Sequence, residues 1–323
     1  MGLADLVTPM AIRVAATLRV ADHIGSGRTT APEIAHASAV DVDALERLLR
    51  HLVSVDVLGC DASHRYSLSE RGEWLREDHV SGLRSVLDIR GPLGRAELSL
   101  VQLLDSVRTG EAAFPNVYER SFWDDLSADP ARTAVYDERM GSDAAVWAPH
   151  ILSAYAWDSL GHIVDVGGGD ASLLTALLLD APTLRGTVFD QPRTVASARA
   201  TLAAAGLDDR SDVVSGSFFD PLPTGAGGYL LCAILHDWPD EPARAILHRC
   251  REAAGPEGRV FVVEKTGADG ESPSTAMDLR MLAYFGARER GVAAISALAS
   301  EAGLHVAAVH PAGDLSVIEL VPE

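Results

Sequence analysis

A histidine and two glutamates lie at or after the ends of apolar segments, where a general base and its supports could be placed. The apolar segment 229–235 leads into His236, the segment 258–263 ends at Glu264, and Glu289 follows a further apolar segment. Because the carboxyl ends of parallel strands meet at one edge of a sheet, we expect Glu264 to lie near His236. A carboxylate on one ring nitrogen fixes the tautomer and raises the basicity of the other nitrogen. The arrangement predicts a neutral His236 that removes a proton from a hydroxyl, with Glu264 and Glu289 as supports.

Each of these residues also has a simpler interpretation. His236 could cap a helix, and either glutamate could pair with Arg288 or Arg290. The joint placement of the three side chains at strand ends favours the catalytic interpretation. Asp237, the next residue along the chain, is expected to shape the turn or the surroundings of the base.

A glycine turn precedes this cluster. Residues 163–166 are typical of a buried strand, Gly167, Gly168 and Gly169 follow, and a helical pattern begins after them. Such a turn brings bare backbone against a nucleotide-like ligand. Asp190 ends the next apolar segment, about 20 residues later, where a carboxylate can hold two ribose hydroxyls. The pattern predicts a nucleoside cofactor.

The spacing and charge of the turn favour S-adenosylmethionine over NAD(P). A dinucleotide site uses G-x-G-x-x-G, whereas the glycines here are consecutive and are bracketed by Asp165 and Asp170. Carboxylates beside a phosphate would repel it, but they would attract the sulfonium and ammonium of S-adenosylmethionine.

Composition excludes several classes of protein. The 323 residues carry a net charge of −19, which disfavours nucleic acid or an anionic membrane as a partner. No apolar segment approaches the roughly 20 residues of a membrane helix, and the first residues do not resemble a signal peptide. Cys60, Cys232 and Cys250 have no disulfide or metal spacing. We therefore expect a cytoplasmic protein without a bound metal.

The first 80 residues predict a winged helix-turn-helix. Residues 4–24 have the apolar spacing of one helix, Thr30 can cap a second, and residues 42–55 predict a third. Residues 57–60 and 64–68 predict a short hairpin. DNA binding is the alternative to a packing or dimer role. The third predicted helix would then be the recognition helix, but its acidic residues would repel the phosphate backbone of DNA.

Beyond the N-terminal region, residues 81–157 predict helices only, and residues 158–323 predict alternating strands and helices. The last two strands are close enough to form a hairpin. We therefore predict an α/β fold, a seven-stranded Rossmann-like class I methyltransferase sheet with an N-terminal winged-helix dimerisation domain. Strands are expected near 162–166, 186–190, 212–216, 228–234, 258–264, 304–310 and 315–321.

The sequence resembles the plant-type, caffeate-like family of S-adenosylmethionine-dependent O-methyltransferases, in its bacterial natural-product branch. The resemblance covers nearly the whole chain, and the His-Asp-Trp motif with the later Arg-Glu-Arg is its most specific part. It depends on six segments, which are 164–169, 189–192, 216–223, 235–240, 277–279 and 286–290. The family implies a homodimer through the N-terminal domain.

The resemblance also implies roles for residues around the cofactor. Asp165, Gly167 and Gly169 would line its methionine end, and Asp190 would hold the ribose. The adenine would be flanked by Gly216, Ser217 and Phe218, with Cys232 nearby. Phe218 could equally be a core residue.

The acceptor is expected to be a small aromatic compound with a hydroxyl group. Met140 and Trp147 lie where the family builds its acceptor pocket, although ordinary helix packing explains them equally well. Arg13 could clamp an acceptor carboxylate, or it could be an exposed or interface arginine. The family often has Phe-Asn where this chain has Tyr136-Asp137, which is a departure in the acceptor pocket.

The implied reaction is an in-line displacement. A hydroxyl oxygen attacks the sulfonium methyl group while His236 removes the proton, and S-adenosylhomocysteine is the second product. The reaction needs no metal, although some relatives use metal-assisted C-methylation. The main alternative is a non-methylating, hydroxylase-like relative that uses the cofactor as a positive charge. The presence of His236, Glu264 and Glu289 favours methyl transfer.

Overall fold

The computed structural model describes residues 4–323. The chain divides into two compact units, with the boundary between Leu98 and Ser99. The division into 1–80, 81–157 and 158–323 stays a prediction. In the described residues, no helix is both long enough and apolar enough to cross a membrane.

The N-terminal unit contains short helices and one two-stranded hairpin. Leu58 pairs with Leu68, and Cys60 with Tyr66, in antiparallel register, which confirms the predicted hairpin. Its elements are α1 (Val7–Thr17), α2 (Val20–Gly25), α3 (Ala31–Ser38), α4 (Val42–Ser54), β1 (Leu58–Cys60), β2 (Tyr66–Leu68), α5 (Glu70–Glu73) and α6 (Leu83–Leu87), and α7 (Pro92–Ser99) crosses the boundary.

The prediction of one helix over residues 4–24 is wrong. Arg19 has a φ of 56°, and this left-handed residue separates α1 from α2. On a continuous helix Val20 would point about 140° away from Ala15. The break turns the chain so that both side chains enter the same apolar core. The start of α3 is as predicted, because the Glu33 carboxylate accepts a hydrogen bond of 2.9 Å from the backbone N–H of Thr30.

The second unit begins with helices and continues as an α/β domain. Short 3-10 helices at Leu100–Gln102, Trp157–Leu160 and Leu235–Asp237 connect the longer elements. Its α-helices are α8 (Leu103–Thr109), α9 (Phe114–Tyr118), α10 (Phe122–Ser127), α11 (Pro130–Ala154), α12 (Ser172–Asp180), α13 (Val195–Ala204), α14 (Asp240–Ala254), α15 (Thr275–Phe285) and α16 (Val292–Glu301).

The sheet of the second unit has seven strands in the order β5-β4-β3-β6-β7-β9-β8. Strand β9 runs antiparallel to both of its neighbours, β7 and β8, and it forms a hairpin with β8. The predicted fold class is therefore confirmed. The strands are β3 (His162–Val166), β4 (Arg185–Asp190), β5 (Ser211–Ser215), β6 (Gly228–Cys232), β7 (Arg259–Glu264), β8 (Leu304–Ala312) and β9 (Leu315–Pro322).

Both faces of the sheet are buried, which explains the continuous apolar character of its central strands. Alternate residues of β6 point to opposite faces, so Tyr229 and Leu231 belong to one core and Leu230 to the other. Helices α14 and α16 cover the first face, and α11, α12 and α13 cover the second.

The strand order creates one crevice at the carboxyl edge of the sheet. From β3 the chain moves outward to β4 and β5, and then returns to place β6 on the other side of β3. Ligands of open α/β sheets bind at such a switch point. The glycine turn follows β3 and His236 follows β6, so the two sequence features lie at the same crevice.

We predict that Tyr229→Phe lowers the free energy of unfolding by about 1 kcal/mol. The Tyr229 ring is fully buried, and its hydroxyl lies 2.7 Å from the carbonyl oxygen of Pro223 and 2.9 Å from that of Ala253. The change keeps the ring and removes the donor. Urea denaturation of the full-length protein measures the effect.

Tyr155→Phe is the matched control, because the Tyr155 hydroxyl makes no hydrogen bond within residues 4–323, while its ring packs on Phe261 in the other core. Equal unfolding midpoints for Tyr229→Phe and the wild type would show that the hydroxyl contributes nothing to stability.

Candidate active site

His236 lies in the 3-10 turn that follows β6, and carboxylates surround its ring. Its Nδ1 is 2.9 Å from Oε1 of Glu289 and 3.9 Å from Oε2 of Glu264. Its Nε2 is 3.5 Å from Oδ1 of Asp237. The structure therefore brings all four predicted catalytic side chains together.

Glu264 supports the base through the backbone. Its Oε1 accepts hydrogen bonds from the N–H groups of Leu235, at 2.8 Å, and of His236, at 3.3 Å. We expected Glu264 to lie near His236, but the direct hydrogen bond of the ring is donated by Nδ1–H to Oε1 of Glu289. The end of β7 thus fixes the turn that carries His236, while the loop after α15 orients the imidazole.

Two residues of this assembly have no predicted role in the sequence analysis. Arg290 is 4% exposed and donates hydrogen bonds to the carbonyl oxygens of Leu235, at 2.7 Å, and Trp238, at 2.9 Å. It also pairs with Asp240 rather than with either catalytic glutamate. Asp278 of α15 accepts a hydrogen bond of 2.9 Å from the backbone N–H of Glu289. In the sequence, only the Arg-Glu-Arg motif indicated that Arg290 belongs to the site.

The protonation state of His236 differs from the expected one. Burial alone would lower the pKa of His236, but Glu264, Asp237 and Glu289 together raise it to about 10. Burial also raises the pKa of Asp237 to about 7, against the attraction of His236. These carboxylates therefore favour the imidazolium form of His236, whereas the sequence analysis expected a neutral imidazole as the base.

The glycine turn after β3 needs residues without side chains. Gly167 has a φ of 77°, and a Cβ there would lie 2.5 Å from Cδ1 of Ile234. A Cβ on Gly168 would lie 2.6 Å from Oδ2 of Asp165. The turn is therefore pressed between the loop after β6 and the last residues of β3.

Asp190 ends β4 and holds the turn from its other side. Its Oδ2 accepts a hydrogen bond of 2.8 Å from the N–H of Gly169, and its Oδ1 accepts one of 2.5 Å from the N–H of Gln191. Each oxygen keeps a further acceptor site, so the carboxylate can still bind a ligand hydroxyl. Gly216 donates its N–H to the carbonyl oxygen of Asp190 at 2.9 Å.

Asp165 is a buried carboxylate without compensation. It is 2% exposed, and its Oδ2 has no hydrogen-bond partner among the described residues. Burial, followed by the charges of Asp190 and Asp170, raises the pKa of Asp165 to about 7. A cation beside this carboxylate would relieve both the burial and the repulsion.

Phe218, Ser217 and Cys232, three of the predicted adenine neighbours, have different contacts. The Phe218 ring is in van der Waals range of a Cβ built on Gly167, and it packs edge-on against Trp238 with centroids 5.7 Å apart. Ser217 accepts a hydrogen bond of 3.3 Å from the N–H of Phe219. Burial raises the pKa of the Cys232 thiol, as do Asp165 and Glu264, so the thiol stays neutral.

An aromatic wall is formed by Trp123, Tyr136, Trp238 and Phe285, and its member Trp238 follows His236 by two residues in the chain. Trp123 stacks on Phe285 with centroids 5.4 Å apart and on Trp238 at 6.3 Å. Tyr136 packs edge-on against Trp123 at 5.9 Å. The sequence alone did not assign Trp123 or Phe285 to the site.

The three predicted acceptor contacts have different surroundings. Met140 is half-buried on α11. Trp147 packs partly against the core of the second sheet face, and Nζ of Lys265 lies 5.1 Å from its ring centroid. Arg13 in the N-terminal unit forms a 2.7 Å ion pair with Glu97, but its buried Nη1 has no hydrogen-bond partner within residues 4–323.

Residues 100–305 match the O-methyltransferase domain, and residues 1–78 match the O-methyltransferase dimerisation domain. The chain belongs to the O-methyltransferase family. The expectations of family, enzyme class and methyl transfer are thereby confirmed.

This O-methyltransferase is similar to a naphthoate methyltransferase. It is 51% identical to 2,7-dihydroxy-5-methyl-1-naphthoate 7-O-methyltransferase of Streptomyces carzinostaticus, over 99% of this chain and 96% of the relative. A crystal structure of the O-methyltransferase NcsB1 from neocarzinostatin biosynthesis, in complex with S-adenosylmethionine and 2-hydroxy-5-methyl naphthoic acid, matches with a TM-score of 0.95. That match has 50% identity and covers 100% of this chain and 98% of the other.

A relative with a different reaction is also similar. Aclacinomycin 10-hydroxylase RdmB of Streptomyces purpurascens is 40% identical over 98% of this chain and 88% of the relative. The expectation of S-adenosylmethionine as the cofactor is confirmed by the relatives in solved structures. The closer similarity to the naphthoate enzyme supports methylation over hydroxylation.

We predict that Glu289→Gln moves the rising limb of the pH profile of kcat/KM to lower pH and lowers its plateau about tenfold. Glutamine can still accept the hydrogen bond from Nδ1, but the lost charge lowers the pKa of His236, so the base form appears at lower pH and is weaker. Initial rates between pH 5 and 10 measure both effects.

Glu252→Gln is the control for this experiment, since it removes an exposed carboxylate that pairs with Arg249 on α14. A Glu289→Gln profile with the wild-type midpoint would mean that Glu289 does not set the basicity of His236.

Proposed function

We propose that this O-methyltransferase methylates a hydroxyl group of a small aromatic hydroxy acid, with His236 as the base. One observation carries the proposal: the carboxylate-supported imidazole after β6 lies at the same sheet crevice as the glycine turn after β3. The bound S-adenosylmethionine supplies an electrophilic methyl group. The protein then needs only to align the acceptor oxygen and to receive its proton.

The residues around the glycine turn fit this cofactor. Asp165, with its uncompensated buried oxygen, would face the positively charged methionine end together with Gly167 and Gly169. Asp190 has acceptor sites left for the ribose hydroxyls. The segment from Gly216 through Ser217 to Phe218 would flank the adenine, with Cys232 as a neutral neighbour.

The raised pKa of His236 fits catalysis when a cation is nearby. In the resting site, the three carboxylates favour the imidazolium. A positive charge at the glycine turn lowers the pKa of His236, because like charges disfavour each other. Binding of the cationic cofactor would therefore prepare the neutral base, with Glu264 fixing the turn and Glu289 fixing the tautomer. Asp237 would shape the surroundings of Nε2.

The acceptor would lie against the aromatic wall. Flat, apolar rings bind a fused aromatic acceptor through offset or edge contacts. The naphthoate substrate of the 51% identical relative supports a hydroxynaphthoate-like acceptor for this chain. Met140 and Trp147 remain proposed acceptor contacts, and Arg13 is proposed to bind the acceptor carboxylate in the dimer.

The protein is proposed to act as a homodimer through its N-terminal region. The match of residues 1–78 to a dimerisation domain supports this assembly. The net charge of −19 disfavours a nucleic acid or an anionic membrane as a further partner.

Mass spectrometry tests the reaction. The protein is incubated with S-adenosylmethionine and a panel of hydroxyaryl acids, hydroxyquinones and catechols, beside His236→Ala. We expect a product heavier by one methylene group, with the rate in the variant reduced at least about 100-fold because general-base help is lost. A product that carries an added oxygen instead would indicate hydroxylation, and an unchanged rate in His236→Ala would exclude His236 as the base.

Arg13→Ala tests the carboxylate contact. We expect KM for a hydroxynaphthoic acid to rise at least about tenfold, with little change for the corresponding amide, because a charge-assisted bidentate contact is lost only with the acid. Arg28→Ala, which removes an exposed arginine of the same unit, is the control. Equal increases in KM for the acid and the amide would exclude a role in carboxylate binding.

A further inference from the structure

Asp137 lies on the face of α11 that packs against the glycine turn. Gly141, one helical turn later on the same face, is buried so closely that a Cβ there would lie 2.3 Å from Oδ2 of Asp170 and 2.9 Å from Oγ of Ser172. Residues four apart on a helix share a face, so Asp137 also points toward the cofactor side of the crevice. The helical region thus brings the Asp137 carboxylate into the neighbourhood of Asp170, in the turn before α12, and of Asp190, at the end of β4.

The Asp137 carboxylate is half-buried and has no hydrogen bond or ion pair within residues 4–323. The charged groups that act on it are Arg193, Asp190 and Asp170, and Tyr136 is the neighbouring phenol. Burial is the largest cause that raises the pKa of Asp137, to about 6, and the two aspartates add to the increase while Arg193 opposes it.

A second observation indicates that this negative region is built for a cation. Asp165 is only 2% exposed. Its Oδ2 atom has no hydrogen-bond partner among the described residues. An uncompensated buried carboxylate is costly, and the cost is recovered when a positive ligand binds. Asp165 and Asp137 are both acted on by the charges of Asp170 and Asp190, so the two carboxylates belong to one negative region.

We propose that Asp137 selects for the charge of the cofactor, binding the sulfonium form more tightly than the neutral thioether product. This inference rests on the proposed function, because it concerns the same cofactor site. S-adenosylmethionine and S-adenosylhomocysteine share their adenosine, ammonium and carboxylate groups, and they differ by the methyl group and its positive charge. A carboxylate that contributes chiefly through that charge favours substrate over product and promotes product release.

The proposal has a defined pH dependence. The sulfonium prefers the ionised form of Asp137, so protonation weakens S-adenosylmethionine binding as the pH falls through about 6. The thioether lacks the charge and gains little from ionised Asp137. The preference for S-adenosylmethionine should therefore increase between pH 5 and pH 7. Asp165 also titrates in this range, so the contribution of Asp137 is the difference between the wild type and a variant.

Isothermal titration calorimetry of the full-length protein with each ligand, at pH 5.5 and pH 7.5, tests the proposal. At pH 7.5, Asp137→Asn should weaken S-adenosylmethionine binding about tenfold more than S-adenosylhomocysteine binding. The ratio of the two affinities should also become less dependent on pH. Asparagine is close in size and is common at this position in the family, so the fold should be kept.

Two further variants separate charge from shape. Asp137→Glu keeps the carboxylate and should retain most of the preference for S-adenosylmethionine. Glu138→Gln removes an exposed carboxylate from the next position of α11 and should leave both affinities unchanged.

Equal weakening of both ligands in Asp137→Asn, or no weakening of either, would overturn the role of Asp137 while leaving the methyltransferase assignment intact. Failure of the wild-type protein to bind either ligand would instead overturn the proposed cofactor site itself.

Discussion

The position of His236 depends on the carboxylate of Glu264 and its hydrogen bonds to backbone N–H groups. Glu264 is the last residue of β7, a buried central strand, so the rigidity of the sheet is transferred directly to the turn after β6. Arg290 fixes the carbonyl oxygens of the same turn from the opposite direction. With its donors and acceptors bound in this way, the turn holds the imidazole at the edge of the crevice, and Glu289 then sets the orientation of the ring.

The second constraint is an excess of negative charge at the crevice. The carboxylates around the glycine turn repel one another, and those around His236 retain a proton on its ring. In the proposed mechanism, a cationic cofactor would relieve the first group and shift the proton balance of the second. One ligand would thus affect both halves of the site, although the residues proposed to bind it and those proposed to move the proton lie on different elements.

The sequence predicted the α/β architecture well, because the buried strands and the glycine turn are local patterns. Every predicted strand of the sheet lies within two residues of an observed one. Local patterns could not show that Arg19 turns left-handed, since that break serves packing with distant residues of the same unit. They also could not show that Glu289, rather than Glu264, bonds to the ring, because loop geometry decides which carboxylate reaches Nδ1. The charge on His236 depends on Glu264, Asp237 and Glu289 together, so the spacing of residues along the sequence could not predict it.

The turn that carries His236 is held almost entirely by its main chain. The partners of Glu264 are the N–H groups of Leu235 and His236, and those of Arg290 are the carbonyl oxygens of Leu235 and Trp238. None of these four contacts involves the imidazole. Evolution can therefore replace the side chain at position 236 without collapsing the loop, so the reaction can change while the scaffold persists. This chain is similar to both a naphthoate methyltransferase and a hydroxylase. A loop whose contacts do not depend on the reactive side chain allows one scaffold to serve both reactions.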